Sequence, residues 1–198
     1  MQALPAVAML IFVSAITPGP NNLVVLRAAL GGGLRAAWPA MVGILLGGVA
    51  MIALAQWGLA SLLEGRPYLR TAVVMGGSGY LAWLGLALVW RRGGADREVD
   101  ANQPNGAAGV FVFQFANPKS WTLVLTAVSA LHGDTYGIPA TILLMPIFVL
   151  ISAACLAAWA ALGRVAKRWL SDAVARLRFD RAMGALLLVS SAALLASH

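Results

Sequence analysis

Acidic residues are scarce in this chain: seven Asp or Glu stand against fourteen Lys or Arg, with two His and a single Cys, in 198 residues. Cys155 has no partner to bridge, which excludes a disulfide-stapled secreted domain and dithiol redox chemistry. Charged residues make up only 11% and hydrophobic residues 61%, whereas soluble domains run at about 25% and roughly 45–50%. Neither a soluble globular domain nor a disordered chain fits that balance. In a soluble protein a net charge of +7 and a pI near 10.8 would point to nucleic acid. Here the basic residues sit between long apolar runs with no nucleic-acid-binding motif around them, so they read as topology determinants facing anionic lipid, and no nucleic-acid partner is expected.

What is abundant is apolar sequence, and about 121 such residues match six membrane spans at roughly 20 residues each. The runs are 4–26, 36–62, 69–90, 109–131, 138–163 and 182–197. The first lacks a basic n-region and outlasts an h-region, so it reads as a retained helix rather than a signal peptide. The last is short, which calls for snorkelling by Arg178 and Arg181 or local thinning of the bilayer.

Six spans put alternate connections on opposite sides. Arg27, Arg35, Arg91, Arg92, Arg97, Arg164, Lys167, Arg168, Arg176, Arg178 and Arg181 share one side, eleven residues, while Arg66 and Arg70 are alone on the other. The positive-inside rule then places both termini in the periplasm. The polar stretch from Arg91 to Gly106 reads as a cytoplasmic linker, dividing the chain into a first three-helix repeat (1–90), a linker (91–108) and a second repeat (109–198). Three is odd, so the halves enter the membrane in opposite senses, the prerequisite of an inverted-topology repeat. The expected fold is therefore an all-α integral membrane protein of six transmembrane helices in two inverted three-helix repeats.

The first helix of each repeat is broken. Thr17-Pro18-Gly19-Pro20-Asn21-Asn22 interrupts one and Asn117-Pro118-Lys119 the other, and a slide of 98 residues superposes Pro20 on Pro118. Proline lacks an N–H and clashes with the preceding turn, so the helix kinks or unwinds there. Freed backbone groups cost several kcal/mol each in hydrocarbon, so such a break belongs inside protein or beside a wet cavity. Asn21 and Asn22 suit an N-cap for the second half-helix, whose N-terminus favours a carboxylate. Paired breaks at matched depth point to a transporter's central site, against the alternative of simple proline kinks.

Lys119 sharpens this reading, since an ammonium in a span costs at least about 2.5–3.5 kcal/mol on insertion scales. No Asp or Glu falls in the six runs, so unless a loop carboxylate dips in, its partners are carbonyls freed at the breaks, the amides of Gln114, Asn117 and Asn21, water or a substrate carboxylate. Substrate contact or gating and a purely structural role both remain open. The absence of intramembrane carboxylates also disfavours a cationic substrate and favours a neutral one, such as threonine, homoserine or a branched aliphatic amino acid.

Other features carry packing readings. Gly43, Gly47 and Gly48 and then Gly76, Gly77 and Gly79 give small faces for close helix approach. Trp57, Trp83, Trp90 and Trp121 suit an interfacial belt, Tyr80 is within reach of a cavity, and Pro139 and Pro146 bend the fifth span. Ser14, Ser152, Cys155 and Ser190 have no intramembrane His or carboxylate to activate them, so an enzyme is not expected. His132 and His198 have no company for a metal, and no cofactor is expected. Export of a metal ion or another small metabolite is the alternative reading.

The run from Thr17 to Leu26, with Gly31 to Gly33, Gly43, Tyr80-Leu81 and Phe113-Gln114-Phe115-Ala116-Asn117-Pro118-Lys119, resembles the LysE/RhtB family of bacterial amino acid exporters over essentially the whole chain. The resemblance implies an inner-membrane carrier energised by the proton motive force, with Pro18, Gly19, Pro20, Asn21 and Asn22 at one break and Asn117, Pro118 and Lys119 at the other as motif residues. Gln114 joins them as a candidate substrate-binding residue. The expected partners are the amino acid, protons and membrane lipid, with room for a homodimer.

Overall fold

The computed structural model describes residues 3–59, 66–90, 106–131, 140–170 and 172–196. Within them the elements are helices: α1 (Ala3–Ile16), α2 (Pro20–Leu54, continued by a wide turn over Ala55–Leu59), α3 (Pro67–Val89), α4 (Gly106–Phe115), α5 (Pro118–Leu131), α6 (Ala140–Trp169) and α7 (Ala173–Ala196). Three of these helices begin on proline, whose missing N–H is no loss in a first turn. The stretches Pro20–Gly58, Ile142–Trp169 and Val174–Ala196 are long and apolar enough to cross a membrane. Most of the expected linker, residues 91–105, and the loop holding His132 and Pro139 lie outside the described residues.

A stretch of 39 residues is nearly twice what one crossing of a bilayer needs. The helical dihedrals fail at Gly32 and at Gly33, where φ is +69°, a region open to glycine and strained for other residues. Packing against α6 shows what happens there. Gly163 abuts Leu26 and Ala29, and Lys167 donates to the Gly31 carbonyl at 3.3 Å, so the first limb runs with α6. Beyond the glycines the register has run back to Phe148, which lies against Gly48. The chain reverses at Gly32–Gly33, making α2 two antiparallel limbs, 20–31 and 34–54.

Two large core clusters result, beside a smaller one of Leu23, Leu81, Leu88 and Leu187. One gathers Val7, Ile11, Met51, Leu123, Val128 and Phe148 from α1, α2, α5 and α6; the other gathers Val25, Leu26, Ala37, Met41, Val110 and Leu156 from α2, α4 and α6. Glycine permits the close approaches. A Cβ on Gly43 would sit 2.4 Å from the Ala107 carbonyl, and one on Gly85 would sit 2.8 Å from that of Gly184, which faces Gly85 in return. Gly47, Gly48 and Gly77 pack as the sequence suggests, but Gly76 and Gly79 meet nothing within 4 Å. Facing outward are Met9, Phe12, Leu46, Met75, Val112, Leu150 and Val189, an apolar coat that a water-soluble monomer does not carry.

The last helix differs from its sequence reading. It spans Ala173–Ala196 rather than beginning near 182, because Asp172 accepts a hydrogen bond from the Ala175 N–H and starts the helix a full two turns earlier. Asp180 therefore lies within α7, where it pairs with Arg27 of α2 at 3.3 Å. Arg178 and Arg181 are residues of the helix itself, the position from which a long basic side chain snorkels.

Candidate functional site: two helix breaks around one cavity

Pro20 needs no N–H partner and so takes the first helical position of α2, leaving Gly19 as its cap. That corrects the assignment of the cap to the asparagines. Gly19 has no side chain to offer, and Asn21 and Asn22 fall inside the first turn instead. Asn22, 4% exposed, turns back to the helix before the break, donating to the carbonyls of Ala15 at 2.9 Å and Thr17 at 2.7 Å. At the second break the cap is a side chain: Asn117 Oδ1 accepts from the Lys119 N–H at 3.2 Å.

The carbonyls freed at the end of α1 recruit donors from four other helices. Thr17 bonds back to Val13 through both its N–H and its hydroxyl. Trp159 Nε1 on α6 donates to Ile16 at 3.2 Å, and Ser190 Oγ on α7 to Pro18 at 3.0 Å. Lys119 Nζ on α5 reaches across to Thr17 at 2.8 Å and Pro18 at 3.3 Å. Its ammonium thus lies at the negative end of the α1 dipole, which offsets part of the cost of enclosing it among the helices. The second break has a parallel device in Trp121 Nε1, which donates to the Phe115 carbonyl at 2.8 Å.

The two breaks touch, because Asn117 Nδ2 donates to Asn21 Oδ1 at 3.0 Å. Around this contact lies one cavity. Gly19, Pro20, Asn21, Asn22, Gln114, Asn117 and Lys119 line it, together with Ser14, Ser120 and Ser152 and with apolar walls from Ile44, Leu123, Val124, Phe148 and Leu156. Among these lining residues Lys119 is the one charged side chain. Gln114 is 2% exposed, and its Oε1 has no hydrogen-bond donor.

Two candidates from the sequence fall elsewhere. Pro118 packs on α3, where a Cβ at Gly77 would come within 1.7 Å of the proline Cβ, and Pro18 borders a smaller cavity on the other side of the first break with Leu23, Trp159 and Leu187. Tyr80 does not line the central cavity; its ring packs against Trp83 and Phe113. Trp57, Trp83 and Trp90 are exposed as a belt requires, but Trp121 serves the second break. Sequence reasoning did not assign Trp159 or Ser190 to the breaks, because nothing along the chain relates them to Ile16 and Pro18.

A helical membrane protein with a cavity between two interrupted helices, polar at the breaks and apolar along its walls, has the form of a transporter. The chain belongs to the LysE type translocator family, which matches residues 12–198. It is 35% identical over 79 residues to the leucine efflux protein of Enterobacter sp. (strain 638), covering 40% of this chain and 37% of that one. The leucine efflux protein of Salmonella typhimurium is 33% identical over 75 residues, 38% of this chain and 35% of the relative. An uncharacterized membrane protein of Pseudomonas aeruginosa is 30% identical over 115 residues, 53% and 52% of the two chains. The matches span about a third to a half of these curated relatives. No solved structure matches. Its family is one of translocators, and two of these relatives carry the name leucine efflux protein.

Proposed function

We propose that this protein is a secondary exporter of neutral amino acids across the bacterial inner membrane, driven by the proton motive force. The carrying observation is the cavity: two helix breaks meet there, with one ammonium and no carboxylate among the described lining residues. A zwitterion whose side chain is neutral matches that balance. Its carboxylate fits Lys119 and the first turn of α2, which no side chain caps. The carbonyls freed by the first break already accept from Asn22, Lys119, Trp159 and Ser190, so its ammonium has Gln114 Oε1 as the open acceptor. A cationic side chain would add a second positive charge beside Lys119 in a low-dielectric space. A metal ion would find no thiolate, imidazole or carboxylate among these lining residues.

In this reading the six spans are α1 with the first limb of α2, the second limb, α3, α4 with α5, α6 and α7, arranged as inverted repeats with both termini periplasmic. Two contacts support the repeat. Asn21 meets Asn117 and Gly85 meets Gly184, each pair close to the offset that aligns Pro20 with Pro118. Substrate carboxylate competing with the Thr17 and Pro18 carbonyls for Lys119 would loosen the link between the halves, which is the motion that alternating access requires.

Proteoliposomes loaded with a panel of radiolabelled amino acids test the proposal. Efflux of neutral amino acids that accelerates under an imposed proton gradient is expected. Faster export of lysine or arginine than of every neutral amino acid would overturn the charge argument.

A further inference from the structure

Once the zwitterionic end of a substrate is assigned to the breaks, its side chain is left with the apolar walls. Those walls belong to two separate core clusters, Leu123, Val124 and Phe148 in one, Ile44 and Leu156 in the other, so the cavity occupies the gap where the clusters do not close on each other. Phe148 is the one aromatic ring among the described lining residues, and on α6 it stands one turn from Ser152 and two from Leu156, on the same stripe facing the cavity. It is 5% exposed.

The position of that ring depends on a missing side chain. An ideal Cβ on Gly48 would lie 2.3 Å from Phe148 Cζ and 2.5 Å from Cε1, so the tip of the ring rests against bare backbone of α2. Gly48 itself borders the cavity. A methyl group at 48 would therefore drive the ring tip away and add its own volume to the same space. Gly47, next to it, serves another neighbour, Gln114, whose Cβ would be 2.8 Å from a Cβ at 47. The adjacent glycines thus seat two lining residues of opposite character, a polar one for the zwitterion and an apolar one for the side chain.

We propose that Phe148, seated on Gly48, sets the upper size limit of the substrate side chain, admitting aliphatic chains up to the leucine class and rejecting aromatic ones. The inference rests on the neutral amino acid exporter reading and adds the selecting residue to it. A hydrophobic wall discriminates by volume, at about 10–200-fold per methylene misfit.

Counterflow in proteoliposomes with alanine, valine, leucine and phenylalanine tests it through ratios of kcat/KM. Phe148→Ala is expected to raise the phenylalanine-to-leucine ratio about 10-fold or more, and Gly48→Ala to lower the leucine-to-alanine ratio by a similar factor. The double variant Gly48→Ala with Phe148→Leu is expected to restore leucine, because the shorter side chain vacates the space the methyl takes. Phe148→Leu alone substitutes for the alanine variant should that fail to insert, with insertion read by size-exclusion of a fluorescent fusion. A merely structural role would lower all four substrates together and leave both ratios unchanged in well-inserted protein, and that result overturns the inference alone. A wild-type protein that moves none of the four, nor threonine or homoserine, overturns the exporter reading with it.

Discussion

Asn117 Nδ2 lies 3.0 Å from Asn21 Oδ1, so an amide pair joins two proline breaks from opposite halves of the chain, beside the bonds of Lys119 to Thr17 and Pro18. The same Asn117 caps α5 through its Oδ1. One buried side chain thus starts one helix and holds another, and its amide has one orientation that does both jobs.

Asn117→Ala removes the cap and the tie together. Loss of a cap costs about 0.5–2 kcal/mol, which in a chain of this size lowers the melting temperature by several degrees. Asn117→Ser keeps a capping oxygen but does not reach Asn21, so it is expected to recover part of that stability. Thermal unfolding of the detergent-purified variants, followed by a thiol-reactive dye on Cys155, measures the difference.

Lys119→Ala is expected to cut efflux of a neutral amino acid about 30-fold or more, the effect of truncating one partner of a desolvated charge pair. Insertion should survive, because Thr17 keeps its bond from Asn22 and Pro18 keeps its bond from Ser190. Wild-type efflux from Lys119→Ala proteoliposomes would remove the lysine from the transport path.

Two neighbouring glycines on α3 should respond oppositely to the same change. A Cβ at Gly77 would collide with Pro118 at the second break, whereas Gly76 meets nothing within 4 Å. Gly77→Ala is expected to destabilise by about 1–3 kcal/mol or more through overpacking. Gly76→Ala should be neutral or slightly stabilising, alanine being the better helix former. Comparison of the two melting curves decides it.

The basic asymmetry of the connections predicts a cytoplasmic linker and periplasmic termini. In a Cys155→Ala background, an impermeant thiol reagent applied outside intact cells should label a cysteine at Ser197 and spare one at Ala101. The reverse pattern would invert the topology.

The sequence by itself determined the membrane class and the two breaks, because proline and glycine act on the backbone locally and a lysine in an apolar run is conspicuous wherever the chain goes. It also left the six apolar runs without a carboxylate. What only the tertiary structure decided is which group meets which. The α7 boundary was misread because a single capping aspartate outweighs a run of charged residues in starting a helix. The cap at the first break went to Gly19 rather than the asparagines, since Pro20 claims the first helical position. Trp159, Ser190 and Lys119 converge on the end of α1 from three helices distant in sequence, drawn there by unpaired carbonyls that hydrocarbon cannot solvate. Such convergence depends on the packing of whole helices, and the seat of Phe148 on Gly48 likewise exists only once α2 has folded back against α6.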